Sequence, residues 1–310
     1  MILSITPAPA IDLTLELEHL TVGEVNRSLT STREASGKGV NVSWALHRAG
    51  IATRALFPAG GHGAALMADQ LDHAGVPYRM VPIQAELRTN VTLRPQRGSE
   101  TKINSPGSAM TSEELDEFLD AVSDELDHAS DVVISGSGPA GAPTSLHADI
   151  VVLARAKGVR ALVDTSGAPL RECLSALPDV VAPNLRELAE LTQASVTTVA
   201  DVVSAAETIL ARGVTTVVVS MGPLGALLAN HSTMLWGSAE DVTVVNAVGA
   251  GDALLAGLVS AGSDPVEMLT AGIWWASSAV ESPSTLFELN PHLRSRVSVS
   301  NVVPMTTRVH

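Results

Sequence analysis

Residues 111–134 read TSEELDEFLDAVSDELDHASDVVI, and two structural periods meet in them. Thr111 with Glu114 three residues on is a capping box, the start signal of a helix. Leu115, Phe118, Leu119, Val122 and Leu126 then recur at helical spacing and form one apolar stripe. Val132-Val133-Ile134 follows without polar alternation, as in a strand buried on both faces. Further along, Ala161-Leu162-Val163, Val180-Val181 and Val217-Val218-Val219 are strands of the same kind. Residues 199–212 repeat the helical stripe with Val202, Val203, Ala206 and Leu210. Strands covered on both sides and alternating with helices need crossover connections. The predicted fold is α/β, a three-layer αβα arrangement on a mainly parallel sheet.

Two stretches break this pattern. Residues 11–17 (IDLTLEL) and 88–94 (RTNVTLR), with 100–104 (ETKIN) nearby, alternate apolar and polar side chains. That is the mark of antiparallel strands with one solvated face. As insertions from about 11–35 and 88–104, they are expected to join in a small antiparallel lid placed to cover a site. An ordinary edge hairpin fits the alternation equally well. Residues 242–245 read as another strand, and the last twenty residues carry little pattern.

Composition narrows the function. The chain has 310 residues, 33 acidic against 19 basic, for a net charge of −14. With 45% hydrophobic residues it is globular. The length suits two average domains, yet single α/β domains reach it. No repeat or Pro/Ser linker divides the chain, so one domain over 1–310 is expected. The acidic balance argues against nucleic acid, which is gripped by clustered Lys and Arg. A single cysteine, Cys173, rules out a disulfide framework. The start, MILSITPAPAID, lacks the basic region of a secretory signal. No apolar run approaches the roughly 18 residues of a membrane span. A cytoplasmic protein without a membrane partner is expected.

Several chemical motifs fail. Gly136-Ser137-Gly138-Pro139-Ala140-Gly141 matches the dinucleotide pattern, and Asp164 follows where a ribose-binding acid would stand. Pro139 and Pro143, however, fall where the helix should begin, and a lone match is weak. Gly37-Lys38 is followed by Gly39 instead of Ser or Thr, so there is no P-loop. No G-x-S-x-G elbow exists. The nine histidines form no pair at helical spacing, which disfavours zinc.

Two glycine-rich turns remain. Asn246-Ala247-Val248-Gly249-Ala250-Gly251-Asp252-Ala253 opens a helix whose unpaired first-turn N–H groups and dipole make an anion site. Asp252 stands beside that cradle, where the N–H groups are expected to keep it ionised. Donors for charge on a phosphoryl group and a carboxylate for the attacking hydroxyl are what phosphoryl transfer needs. A helix start with a capping Asp is the plainer alternative. The second turn, Ala35-Ser36-Gly37-Lys38-Gly39-Val40-Asn41, offers close approach, a charge and an amide. Two such turns at opposite ends of one chain suggest a site for two anionic or hydroxylated ligands.

Gly37-Lys38-Gly39-x-Asn41-Val42 and Val248-Gly249-Ala250-Gly251-Asp252 resemble the two signatures of the ribokinase-like (PfkB-type) sugar kinases. The phosphosugar branch, with 1-phosphofructokinase, tagatose-6-phosphate kinase and a 6-phosphofructokinase, is most similar. Supporting pieces occur in family order: Gly23–Arg27, Gly60-Gly61, Arg88–Thr92, Thr101–Asn104 with Pro106-Gly107, Ser135–Ser137, Asp164–Gly167, Pro183-Asn184-x-x-Glu187 and Val219–Gly222 with Gly225-Ala226. Together they cover residues 1 to about 285.

The resemblance implies a role for each matching position. Asp252 is the catalytic base, and Gly249, Ala250 and Gly251 form the anion hole. Asp12, Gly37, Lys38 and Asn41 hold the sugar. Arg88, Asn90 and Lys102 meet the phosphate already on the substrate, with Arg27 and Ser137 beside them. Asn184 and Glu187 lie near Mg²⁺ and the nucleotide phosphates, Glu187 acting on the metal indirectly. Ser220, Gly222 and Gly225 border ATP.

Some positions depart from the family pattern. Ala8 replaces an Asn, Ser36 a Gly, Gly138 a Leu, Ala140 a Pro, Ala182 a Lys and Ser105 a Glu, while 281–285 (ESPST) lacks a glycine on the adenine side. The implied reaction is ATP-dependent phosphorylation of fructose 1-phosphate. Fructose 6-phosphate or tagatose 6-phosphate as substrate, or a silent sugar-phosphate-binding regulator, are the alternatives. The lid's apolar face needs cover, so a homodimer through the lid is expected.

Overall fold

The computed structural model describes residues 1–284 and 287–309; Thr285, within the adenine-side stretch, lies outside the described residues. A short apolar strand, β1 (Ile2–Ile5), leads into β2 (Ala10–Leu17) and β3 (Ser28–Ser36), and then the first helix, α1 (Lys38–Arg48). β4 (Thr53–Ala59), α2 (Gly61–Ala74) and β5 (Tyr78–Pro82) follow. A second excursion, β6 (Arg88–Pro95) and β7 (Thr101–Ile103), precedes α3 (Ser112–Leu126). Strand and helix then alternate: β8 (Asp131–Ser135), α4 (Leu146–Ala156), β9 (Arg160–Asp164), α5 (Gly167–Ala176), β10 (Val180–Val181), α6 (Leu185–Thr192), α7 (Val199–Leu210) and β11 (Thr216–Ser220). β12 (Ala226–Asn230), β13 (Met234–Ala239), α8 (Ala250–Ser260), α9 (Pro265–Glu281), α10 (Pro291–Arg294) and β14 (Val297–Ser300) complete the chain.

Ten of these strands make one sheet in the order β14-β13-β12-β11-β10-β9-β8-β1-β4-β5. From β11 to β5 the neighbours are parallel, while β11 to β14 pair antiparallel. Alternation along each strand sorts the layers. Val132 and Ile134 face a core built with α3, α4, α5, α6 and α7. Val133, from the same strand, faces a second core with α1, α8 and α9. The expected three-layer αβα arrangement on a mainly parallel sheet is present. The capping box at Thr111 forms, and Phe118, Val122 and Leu126 are buried in the predicted stripe.

Residues 242–245 are not a strand. The edge of β13 is already paired with β14, and Val244 and Val245 are left exposed as the chain crosses toward α8. β14 itself, Val297-Ser298-Val299-Ser300, lies in the stretch whose pattern carried little signal.

The second sheet has the order β3-β2-β6-β7. Its outer pairs are antiparallel, as expected of a lid, whereas its two central strands, β2 and β6, run parallel. Their register puts Asp12 opposite Asn90 on the polar face and Leu13 opposite Val91 on the apolar one. Ile11 and Ala35, at the root of the lid, pack with Phe57, Met67 and Leu87 in a third cluster that joins lid to body.

Two helix starts are set by close packing. A Cβ on Gly39 would stand 2.8 Å from the Ile5 carbonyl, so only glycine lets the first turn of α1 rest on the end of β1. On α8 every residue from Asp252 to Val259 is buried, and a Cβ on Gly257 would stand 2.5 Å from the Ala271 carbonyl of α9. α8 is therefore a core helix, apolar all round, with its N-terminus at the edge of the sheet.

Candidate active site

The carboxyl ends of the parallel strands and the N-termini of α1 and α8 lie together. Ligand sites in open α/β sheets form at such edges, because the loops there are free of strand packing. Gly249 caps α8 with a φ of 83°, a left-handed conformation suited to glycine. Ala253 N–H bonds back to the Gly249 carbonyl at 2.9 Å. The N–H groups of Gly251 and Asp252 have no protein acceptor among the described residues, and Gly251 is exposed with open space where a Cβ would lie. Free donors at the positive end of a helix dipole are the physical content of an anion site.

Asp252 stands in the first turn of this helix and is buried. Asn41 of α1, 211 positions earlier, donates its Nδ2 to Asp252 Oδ2 at 2.7 Å. The expectation that the helix N–H groups keep Asp252 fully ionised is corrected here. Burial pushes its carboxyl up, against the Lys38 charge and the Asn41 amide that pull it down, and the carboxylates of Asp164 and Asp12 add to the rise; it stands at about 7. Desolvation outweighs local donors because α8 is packed on all sides.

That shift has a consequence for stability. An unfolded aspartate titrates near 3.8. Between about pH 4 and pH 7 the folded protein therefore holds a proton that the unfolded chain has lost, and stability falls as pH rises through that window. At about 1.4 kcal/mol for each unit, the loss is on the order of a few kcal/mol. Asp252→Asn cannot ionise, so its melting temperature should gain on wild type steadily from pH 4 to pH 8. Thermal melts across that range check this; a constant difference would mean that Asp252 is not held neutral by burial.

Lys38 opens α1 and donates from Nζ to Asp164 Oδ2 at 3.0 Å. Burial acts to lower its pKa, but the carboxylates of Asp164, Asp252 and Glu187 together raise it. The ammonium is thus held charged between the base side and the far side of the site. Asp164, at the end of β9, entered the sequence reading only as the acid of the failed dinucleotide pattern and as part of the family series, with no role in this site. Its signal was available as a lone carboxylate closing a strand in Asp164-Thr165-Ser166-Gly167.

On the lid side, Asp12 accepts from Ser36 Oγ at 2.7 Å and from Asn90 Nδ2 at 2.9 Å. Arg88, at the root of β6, reaches back to the body. Its Nη2 donates to the Ala8 carbonyl at 2.8 Å and lies 3.4 Å from Ser137 Oγ, while Nη1 donates to the Ser105 carbonyl. Its Nε is buried without a partner, and no carboxylate forms an ion pair with it among the described residues. Burial lowers its pKa while Asp12 raises it. Ala8, Ser105 and Ser137, two of them at departures from the family pattern, make the seat of this guanidinium.

Lys102 is not brought to that seat. It lies opposite Thr92, about 13 Å along the strand from Arg88 at 3.3 Å per residue, and pairs with Glu100 at 3.3 Å. Arg27 is exposed next to β3, which begins opposite Leu17, at the far end of the lid from Ser36. Neither stands beside Arg88 within this chain: the resemblance names positions, not distances along a strand.

On the other side, Asn184 and Glu187 bind each other. Asn184 caps α6, accepting from Glu187 N–H, and Glu187 Oε2 accepts from Asn184 N–H, both at 3.0 Å. Glu187 is buried, which raises its pKa. Asn184 is bridged to Ser220 at the ends of β10 and β11. Gly222 begins the turn after β11, and Gly225 lies against the Gly237 carbonyl, where no Cβ fits. Among the described residues no three metal-ligating side chains converge. Asp164 and Glu187 are two buried carboxylates with one shared ammonium near them. This excess negative charge fits Mg²⁺, which takes one or two carboxylates and completes its shell with nucleotide phosphates and water.

Comparison with known proteins agrees with this geometry. Residues 5–292 match the profile described as pfkB family carbohydrate kinase. The chain is 36% identical over 284 residues to a 1-phosphofructokinase of Haloferax volcanii, covering 90% of this chain and 91% of that one. It is 35% identical over 264 residues to a 1-phosphofructokinase of Xanthomonas campestris pv. campestris, covering 84% and 83%. The phosphofructokinase-2 of Escherichia coli superposes with a TM-score of 0.89 at 27% identity, over 95% of this chain and 97% of that one.

Proposed function

Since the chain belongs to the pfkB family of carbohydrate kinases, we propose that it transfers the γ-phosphoryl group of ATP to fructose 1-phosphate, giving fructose 1,6-bisphosphate and ADP. The observation that carries the phosphosugar reading is Arg88. A guanidinium in a part-closed site, with an unsatisfied Nε and no carboxylate partner, is a seat for a phosphate. A sugar without a phosphate would leave that charge unpaired. The relatives named 1-phosphofructokinase favour position 1. Escherichia coli phosphofructokinase-2, solved with fructose-6-phosphate, supports the second reading, in which the phosphate is on carbon 6.

The residues divide the work as follows. Asp12, with Asn90 and the Gly37–Asn41 turn, holds the sugar hydroxyls, while Arg88 and Ser137 hold its phosphate. The free hydroxyl attacks the γ-phosphorus, its proton passes to Asp252 Oδ1, and the bond to the ADP oxygen breaks. Oδ1 is free for this because Asn41 occupies Oδ2. A base near pH 7 is well matched to the task. The N–H groups of Gly249 and Gly251 face the charge on the transferred group, Ala250 shapes the turn while its own N–H donates to the Ala247 carbonyl at 3.4 Å, and Lys38 offsets the charge from the side. Asn184, Glu187 and Asp164 serve the nucleotide side, with Ser220, Gly222 and Gly225 along the nucleotide. Asp164, with Glu187 acting indirectly, would hold Mg²⁺, which would supply charge neutralisation of the phosphates.

We extend the proposal to the setting. The unit is one kinase domain with an inserted lid, working in the cytoplasm as a homodimer. No described helix is long and apolar enough to cross a membrane. The lid supports a symmetric partner: Leu13, Leu15, Val91 and Leu93 share one half-exposed face, and Ile103 is 54% exposed beside them. Escherichia coli phosphofructokinase-2 has a tetrameric inhibited form.

A coupled assay of ADP release tests the function. With ATP and Mg²⁺, fructose 1-phosphate should give the highest kcat/KM, ahead of fructose 6-phosphate and tagatose 6-phosphate. Free fructose should be poorer by about 10²-fold, the order expected when a buried charge loses its partner. Equal use of free fructose would overturn the phosphosugar reading. Absence of turnover with every sugar would leave a binder.

A further inference from the structure

Between β8 and α4 the chain runs Gly136-Ser137-Gly138-Pro139-Ala140-Gly141, three glycines in six residues. Such a loop samples many conformations unless something restrains it. Ser137, which lies 3.4 Å from the Arg88 guanidinium, is exposed within it. The restraint is applied one residue earlier. Gly136 N–H donates to the Asp164 carbonyl at 3.0 Å. The Gly136 carbonyl accepts twice, from Thr165 Oγ1 at 2.8 Å and from His147 Nε2 at 3.0 Å. Both of its lone pairs are therefore used.

His147 stands in the first turn of α4 and is 1% exposed. Burial holds its pKa below the ordinary histidine range, so the ring is neutral. Facing a carbonyl, Nε2 must carry the proton. The same ring underlies Gly138, with Cε1 3.7 Å from where a Cβ would stand. No step of the proposed reaction uses this side chain, and the nine scattered histidines gave no reason to single it out.

The peptide joining Gly136 to Ser137 is planar and trans, so its C=O and N–H point in opposite directions. A carbonyl drawn inward by His147 and Thr165 thus aims the Ser137 N–H outward. That N–H has no protein acceptor among the described residues. We propose that His147 is a positioning residue for the anionic end of the substrate: with Thr165 it locks the 136–137 peptide so that the Ser137 N–H and hydroxyl face the same phosphate as Arg88. This inference rests on the phosphosugar reading. It assigns His147 orientation only, since a neutral ring brings no charge.

His147→Leu removes the donor, His147→Gln places an amide N–H near the position of Nε2, and Thr165→Val removes the second donor while keeping the volume. In steady-state assays of the full chain, His147→Leu should raise the KM for fructose 1-phosphate about tenfold, with kcat and the KM for ATP within about twofold. His147→Gln should recover most of that loss. Thr165→Val should move the same KM in the same direction, which keeps the test valid if His147→Leu folds poorly. Equal changes in both KM values, or failure of His147→Gln to differ from His147→Leu, would overturn the proposal and mark His147 as ordinary core. If wild type uses fructose 1-phosphate and free fructose alike, the phosphosugar reading fails first and takes this one with it. If wild type discriminates and neither variant moves the KM, only the positioning role fails.

Discussion

Asp252→Asn should lower kcat by on the order of 10²–10⁴ while leaving the KM for the sugar nearly unchanged. The amide keeps the shape of the side chain and can still accept from Asn41, whose Nδ2 lies 2.7 Å from Oδ2 in wild type. What it cannot do is take a proton from the attacking hydroxyl. In the proposed complex binding depends on Asp12, Asn90, Arg88 and the Gly37–Asn41 turn; of these only Asn41 bonds Asp252, and the amide keeps that contact, so the ground-state complex should survive. As the proposed base, Asp252 should also set the acid side of the rate profile. Its carboxyl stands at about 7 through burial, and only the ionised form accepts the proton. Activity in wild type should therefore fall as pH drops below about 7, and that limb should vanish from the residual activity of the variant. Steady-state kinetics from pH 5.5 to 9 check both parts. A variant keeping more than about a third of wild-type kcat would remove Asp252 from the role.

Arg88→Ala should weaken binding of the sugar phosphate by roughly 2–4 kcal/mol, about 30- to 1,000-fold. The guanidinium is held by the Ala8 and Ser105 carbonyls, so it is oriented before any substrate arrives. Losing it leaves phosphate oxygens without a charged partner in a part-closed site. ATP affinity should barely change, because Asn184, Glu187 and Ser220, the residues proposed for the nucleotide, stand at or just after the ends of β10 and β11, whereas Arg88 belongs to the lid. Calorimetry with each ligand in turn separates the outcomes. Equal weakening of both ligands would point to a folding defect, and unchanged sugar-phosphate binding would leave Arg88 as a solvated strand residue. Lys102→Ala, by contrast, should change little, since Lys102 is tied to Glu100.

The periodic parts of the chain were readable without coordinates. Val132-Val133-Ile134 and its counterparts read as strands buried on both faces, and the stripe from Leu115 to Leu126 as a helix lying on them; both are present. Strict alternation at 11–17 and 88–94 marked strands with one solvated face, a pattern that a lid shares with an edge hairpin. Alternation has a period but no direction, however, so it did not reveal that β2 and β6 run parallel. Nor did it reveal that Lys102 sits too far out to join Arg88. Residues 242–245 have strand composition, yet β14 occupies the edge they would need.

For the site, the two glycine turns were legible because free N–H groups and small residues are local properties of a helix start. The partnerships between turns were not. Asn41 meets Asp252 across 211 positions, and Lys38 meets Asp164 across 126. The first pair exists because α1 and α8 cover the same face of one sheet, and the second because α1 begins at the carboxyl edge where β9 ends. The protonation of Asp252 shows the division most clearly. Its sequence neighbours are a helix dipole and unpaired donors, which favour the charged form. The tertiary structure buries it in a helix packed on every side, where loss of water favours the neutral form and wins. Sequence alone determined the layers, the half-solvated strands of the second sheet and the residue types at both turns, because these follow from local period and backbone freedom. Only the tertiary structure decided which charges meet and how dry they are, because dielectric and distance are properties of the packed whole.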